Sequence, residues 1–219
     1  MFKKIILILV LIVLGVFAYK GFNGAQTKSI DQNNMENLSK GGNFEFDAEK
    51  SVVRWQGKKT LILNYVDQGT IKLKSGFLTV EDGKITSGDL SIDMSTVSAV
   101  KTGKGEGESF LSKHLMSPDF FDAEKYPTAD FKMTKAEVLN DGSYKIDGVL
   151  TIKGITKPIS ILSKISMADS TVKIEGKIEL DRTEWDVRYG SGKFFQNLGD
   201  AIIGDMFTLE FDLVANIKK

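Results

Sequence analysis

His114 is the single histidine of this 219-residue chain and the natural candidate for moving a proton near neutral pH. Ser109, Ser112 and Ser117 lie close to it in sequence, so a serine–histidine nucleophile is the first chemistry to consider. None of these serines sits in the glycine-flanked turn that exposes a hydrolase nucleophile, and the histidine reads better as a helix-end side chain bonded to backbone. Two carboxylate pairs, Glu45 with Asp47 and Asp181 with Glu184, have a spacing open to acid–base work, but both also fit solvated strand faces. Gly103-Lys104-Gly105-Glu106-Gly107 and Gly192-Lys193-Phe194 are too incomplete for phosphate loops and read as connections. Arg182 and Arg188 flank Trp185. In an extended segment they share a side and could fork onto a phosphate, although Asp181, Glu184 and Asp186 are ready ion-pair partners.

Composition narrows the chemistry further. With no cysteine there can be no disulfide, thiolate nucleophile or cysteine-held metal, and one histidine excludes multi-histidine centres. No cofactor and no metal are expected. The chain balances 29 basic against 29 acidic residues. Five of the basic and two of the acidic ones precede Asn43, leaving 24 against 27 in the remainder. Only three arginines occur there, with no basic stripe, so nucleic acid is not an expected partner.

The elements that must position these residues are mostly strands. Val172, Ile174, Ile178 and Leu180 alternate with Lys173, Glu175, Lys177 and Glu179, and Gly176 falls on the apolar side. Phe207, Leu209, Phe211, Leu213 and Ala215 alternate with Thr208, Glu210 and Asp212. Leu90, Ile92 and Met94 form another face, as do Tyr144, Ile146, Leu150 and Ile152. Further runs lie at 44–56, 60–65, 69–80 and 129–139. Turn signals stand at Asp82-Gly83, Asp141-Gly142 and Lys157-Pro158. About eight antiparallel strands, each with one wet face, predict an all-β domain, either a closed barrel or a sandwich. Helical spacing appears twice, over 108–116 and 193–203, so two short helices are expected to cover one end.

Ahead of this domain, Lys3 and Lys4 precede an apolar run from Ile5 to Ala18. That pattern is a secretory signal, and the run is shorter than the roughly 20 residues of an untilted span. Residues 1–18 are read as a signal peptide or an uncleaved membrane anchor, 19–42 as a polar linker and 43–219 as the folded domain. The expected location is outside the cytoplasm, periplasmic or extracellular, with membrane contact through the leader if it is retained.

Several ordered motifs carry a family resemblance. Trp55-Gln56-Gly57, Asp93-Met94-Ser95-Thr96-Val97, His114-Leu115, Pro118-Asp119-Phe120-Phe121-Asp122, Tyr126-Pro127 and Gly148-Val149-Leu150-Thr151-Ile152-Lys153-Gly154 together resemble the YceI family, with Arg182 and Trp185 in the late region. The resemblance implies an extended antiparallel lipocalin-like barrel that holds a polyisoprenoid, an isoprenoid quinone or a similar long-chain amphiphilic lipid, without catalysis. Where many members carry a histidine before a glycine, this chain has Asp67-Gln68-Gly69.

On that reading the expected lining is Phe110, Leu111, Leu115, Phe120 and Phe121 near one end. Phe194, Phe195 and Leu198 would form the second cover, and Trp55, Phe77, Ile92, Ile146, Trp185, Phe207 and Phe211 would line the strands. Arg182, Arg188 and His114 are the candidates for a head group. Against this stand a core filled by the same side chains, an enzyme using His114 on a lipid-like substrate, and an adaptor with a filled barrel. An empty apolar interior separates the first reading from the rest.

Overall fold

The computed structural model describes residues 41–105, 107–168 and 170–218. The expected leader, retained or cleaved, and the expected linker up to residue 40 lie outside these residues. The strands are β1 (Gly42–Phe46), β2 (Val52–Lys58), β3 (Val66–Glu81), β4 (Lys84–Lys101), β5 (Thr128–Val138), β6 (Tyr144–Ile152), β7 (Ile155–Ala168), β8 (Thr171–Asp181) and β9 (Met206–Ile217). Among the described residues one α-helix, α1, spans Glu108–Met116.

All pairings are antiparallel, and the order β3-β2-β9-β8-β7-β6-β5-β4 closes on itself through β3 and β4. β1 adds no place to this ring. It pairs β3 at Phe44↔Leu78 and β9 at Phe44↔Ile217, while β2 pairs the same two strands at Val53↔Ile71 and Val53↔Phe211. The two are halves of one interrupted strand. The break is turned by Asp47, whose carboxylate accepts from the Glu49 and Lys50 backbone N–H groups at 3.2 and 3.1 Å. The result is an eight-place closed barrel.

Tight turns follow the glycine signals with one exception. Asp82 and Gly83 both adopt positive φ (48° and 71°) and join β3 to β4, as a two-residue hairpin requires. Lys157-Pro158 is not a turn: it lies within β7, and the β6–β7 reversal is made by Lys153 and Gly154, at φ 49° and 73°. Proline is tolerated there because β8 pairs with β7 only from Ser163 onward, so Pro158 stands at a free edge where a missing N–H need not cost a ladder bond. Residues 60–65, expected as a strand, form a loop. β7 was missing from the expected strands although Ile159, Ile161, Ile165 and Met167 alternate along it.

The seam between β4 and β5 is open over most of its length. β4 pairs with β5 only from Asp89 to Asp93. Beyond that point Asp93 turns the chain by accepting from the Ser95 N–H at 3.0 Å, Thr96 Oγ1 donates to the Asp93 carbonyl at 2.6 Å, and the Met94 N–H goes to Pro127 O at 3.0 Å. Strand β4 then departs, and α1 with the 117–127 segment fills the gap. The second expected helix is absent: residues 193–203 form a loop with one 3-10 turn at Gly199–Ala201. A further 3-10 turn occupies Arg182–Trp185. Asn197 and Gly199, at φ 61° and 51°, leave the helical region in the middle of that apolar spacing and do not sustain a helix.

Candidate functional site

The barrel interior holds two adjoining chambers. The larger, upper chamber has a volume of about 500 Å³ and is walled by strand residues such as Trp55, Ile71 and Phe207, by α1 and the segment after it, and by the 182–205 loop. The lower one is about 120 Å³ and is walled by strands and their interrupted partner alone. Ile92, Leu150 and Leu209 line both, so the two share a waist. Apart from Gly88, Asp89 and Ser163, every residue lining the lower chamber is apolar.

Aromatic rings are folded against the wall by glycines on the neighbouring strand. Trp55 pairs with Gly69, where a Cβ would come 2.7 Å from the indole. Phe211 pairs with Gly176, and there the distance would be 2.4 Å. Phe131 lies over Gly148 at the same 2.4 Å. Each glycine gives up packing and chain entropy to let a ring lie flat, which keeps ring volume out of the lumen.

The rim of the upper chamber is polar and built from three contacting segments. Tyr65 packs on Gly103, and Lys59 sits 4.9 Å over the Tyr65 ring. Asp67 accepts the Gly103 N–H at 2.8 Å, and burial pushes its carboxyl above the ordinary range although Lys59 pulls the other way. Lys59 bridges Ile203, and the Thr60 N–H reaches Ile202 O at 3.3 Å. His114 closes the circle: its ring meets Tyr189 edge-on at 4.6 Å and Phe120 at 4.9 Å.

His114 is therefore not the backbone-bonded side chain expected. Its Nε2 faces Asp119 at 3.4 Å inside this aromatic cluster. No nearby serine is its partner: Ser112 donates to Glu108 O and accepts from the Ala99 N–H, and Ser117 donates to the His114 carbonyl. The arginines also part company. Arg182 is buried and donates to the carbonyls of Gly204 (3.0 Å), Val187 (2.7 Å) and Ile203 (3.2 Å), with Asp205 at 3.6 Å. Burial pulls its guanidinium below the ordinary value, and Asp205 and Asp181 oppose that. It pins the 182–205 loop from the chamber wall. Arg188 pairs with Asp186 and stacks on Phe194 outside both chambers. The 3-10 turn breaks the extended geometry that would have put the two on one side.

Of the expected lining, Trp55, Phe110, Leu111, Leu115, Phe120, Phe121 and Phe207 border the upper chamber, Ile146 and Phe211 the lower one, and Ile92 both. Phe77 is misplaced: it lies 43% exposed on the outer wall, one residue out of step with the inward Leu78 because period two puts neighbours on opposite faces. Trp185 is sealed in the packed core, its Nε1 donating to Leu150 O at 3.1 Å. Phe194 and Phe195 are about half exposed on the loop, and Leu198 lies at its 3-10 turn; none of the three lines a chamber. Sequence reasoning missed Tyr65 and Tyr189 at the rim, where loops carry no period, and Asp67 at the start of β3. It also missed Ile159, Ile161 and Ser163 below, which the alternation of β7 would have supplied.

Residues 44–215 match the family described as the YceI-like domain. A UPF0312 protein of Vibrio vulnificus is 36% identical over 85 residues, covering 36% of this chain and 45% of that protein. One of Pseudomonas putida is 32% identical over 92 residues, covering 42% and 45%. These alignments thus span about half the length of the curated relatives. The crystal structure of Burkholderia cenocepacia BcnA superposes with a TM-score of 0.63 at 22% identity, over 78% of this chain and 99% of that one. A Saccharophagus degradans domain described as polyisoprenoid-binding gives 0.56 at 11%, over 80% and 98%. At such identities the likeness is one of fold.

Proposed function

This chain belongs to the YceI-like family, and on that premise we propose that it is an exported, non-enzymatic carrier holding the tail of an isoprenoid or similar amphiphilic lipid within its barrel. The observation that carries the reading is the pair of largely apolar chambers, with the rings of Trp55, Phe131 and Phe211 laid against the wall over the glycines at 69, 148 and 176. An empty apolar cavity is costly unless something fills it, because its lining forfeits dispersion contacts.

The space limits the cargo. At roughly 30 Å³ for a group the size of a water molecule, the two chambers take about 20 non-hydrogen atoms. A longer isoprenoid would leave its remainder outside the rim. Burial of about 0.8 kcal/mol per methylene gives ample gross stabilisation for such a tail. Ordering and association costs remove much of it, so fit of chain length sets affinity more than any polar contact. Export rests on the leader of Lys3, Lys4 and Ile5–Ala18.

The test is solvent extraction of the purified full chain followed by mass spectrometry. Recovery of a chain-bearing amphiphile in near-stoichiometric amount is the expected result. Protein that neither releases such a lipid nor takes up an added one would sink the proposal.

A further inference from the structure

Of the twelve large apolar side chains exposed among the described residues, eight gather at the rim end of the barrel, outside the polar lining of the rim itself. Leu61 and Leu63 project from the loop between Lys59 and Tyr65, Phe110 from α1, and Tyr189, Phe194 and Phe195 from the 182–205 loop. Val100 near the end of β4 and Met206 at the start of β9 stand at the same end. Leu63 is 89% exposed and Phe110 74%, so these are tips in solvent rather than edges of the core. The segments that bear them touch one another. Thr60 N–H reaches Ile202 O at 3.3 Å, Tyr65 packs on Gly103, and the His114 ring lies 5.9 Å from Phe110 and 4.6 Å from Tyr189. Single exposed apolar residues need no explanation, but a collar of them around one opening marks a surface that meets a partner.

The charges around the collar indicate the partner. Lys58, Lys101, Lys104 and Lys113 are exposed at this end and make no ion pair among the described residues. Of the acids on the same segments, Asp186 is held by Arg188 and Asp67 by the Gly103 N–H, which leaves Glu108 and Asp200 among the described residues. Asp119, Asp122 and Glu124 belong to the 117–127 segment, which carries no exposed large apolar side chain and so lies off the collar. Apolar tips set among unpaired lysines suit a bilayer surface, where leucines and rings enter the acyl boundary and ammonium groups meet phosphates. A protein seated here would stop the mouth, whereas a bilayer both covers the collar and supplies the cargo. We propose that the collar is a membrane-docking face, on which the barrel stands mouth-down on a bilayer containing anionic phospholipid, so that cargo passes between acyl layer and upper chamber without crossing water. This rests on the carrier reading and adds the route by which the barrel is filled.

The chain has no cysteine, so one introduced thiol takes a single label. Leu63→Cys and Leu139→Cys in the full chain, each carrying an environment-sensitive nitrobenzoxadiazole dye, report on the rim and on the opposite end. With vesicles of phosphatidylcholine containing phosphatidylglycerol as the anionic minority, the dye at 63 should shift to the blue and be quenched by spin-labelled lipid. The response should weaken at high salt or on pure phosphatidylcholine. β1 begins at the far end, at Gly42↔Val80, so any hold of the preceding chain on the vesicle brings position 139 rather than 63 to the lipid. A rim dye that stays silent, or responds no more than the one at 139, overturns the proposal. So does a shift that needs no vesicles and grows with protein concentration, which would assign the collar to a second copy. Leu61→Ser/Leu63→Ser, neither residue lining a chamber, should slow uptake of lipid from the vesicles about 10-fold and leave the amount bound at equilibrium unchanged. Equal uptake rates overturn the docking face and leave the carrier reading intact. Native protein that binds no lipid at any time defeats the carrier reading, and with it this proposal, even where the dye responds.

Discussion

The upper and lower chambers are walled by different kinds of structure. Strands alone enclose the lower one, and every side chain there is placed by pleat alternation. The upper one borrows α1, the 117–127 segment and the 182–205 loop, all held by specific hydrogen bonds rather than by a ladder. Regular pairing makes a narrow, dry space with little latitude. Inserted segments make a wider one with a polar rim, at the cost of depending on a few residues that fix the loops.

Arg182 is the sharpest test of that dependence. Arg182→Ala removes the donor from three carbonyls and leaves Asp205 with Lys193 alone, so about 3–5 kcal/mol of stability should disappear, read as a fall in the urea midpoint. If the loss is under about 1 kcal/mol, the loop is held by something other than this guanidinium.

The lower chamber should respond to shape instead. Gly176→Ala puts a methyl group into the Phe211 ring, which must swing toward the lumen. The expected cost is about 1–3 kcal/mol, together with a shorter longest n-alkanol retained by the protein. Unchanged chain-length selection would show that Phe211 does not border the occupied space.

The smallest effect belongs to the rim. Because burial raises the folded-state pKa of Asp67, folding binds a proton more tightly than the unfolded chain does. Its contribution therefore falls as pH rises from the ordinary carboxylate value through the raised one. Asp67→Asn should gain stability over native protein above that window and show no gain below it, with Asn still able to accept from the Gly103 N–H. Urea midpoints measured across acid pH check this; an advantage that grows toward low pH would contradict it.

Legibility followed the same division. The strands with strict alternation, such as Val172–Leu180 and Phe207–Ala215, were readable because burial on one face selects residue type at every second position. The alternation also placed Ile92, Ile146 and Phe211 inward. It could not warn that Phe77 points out, since a ring on a wet face looks like any other apolar residue in a run. Nor could it show that 193–203 fails as a helix, because the apolar spacing persisted while glycines and long-range bonds to Gly190 and Gly204 decided the path.

Composition and pattern by themselves determined an all-β domain without thiol chemistry, preceded by an apolar run at residues 5–18, because those properties depend on residue type and local period. Only the folded barrel decided that β1 and β2 share one place in the ring, that Arg182 serves the loop while Arg188 faces away, and that the Trp55 ring lies against Gly69. Those facts depend on which residues meet across the barrel, at separations along the chain over which no local pattern extends.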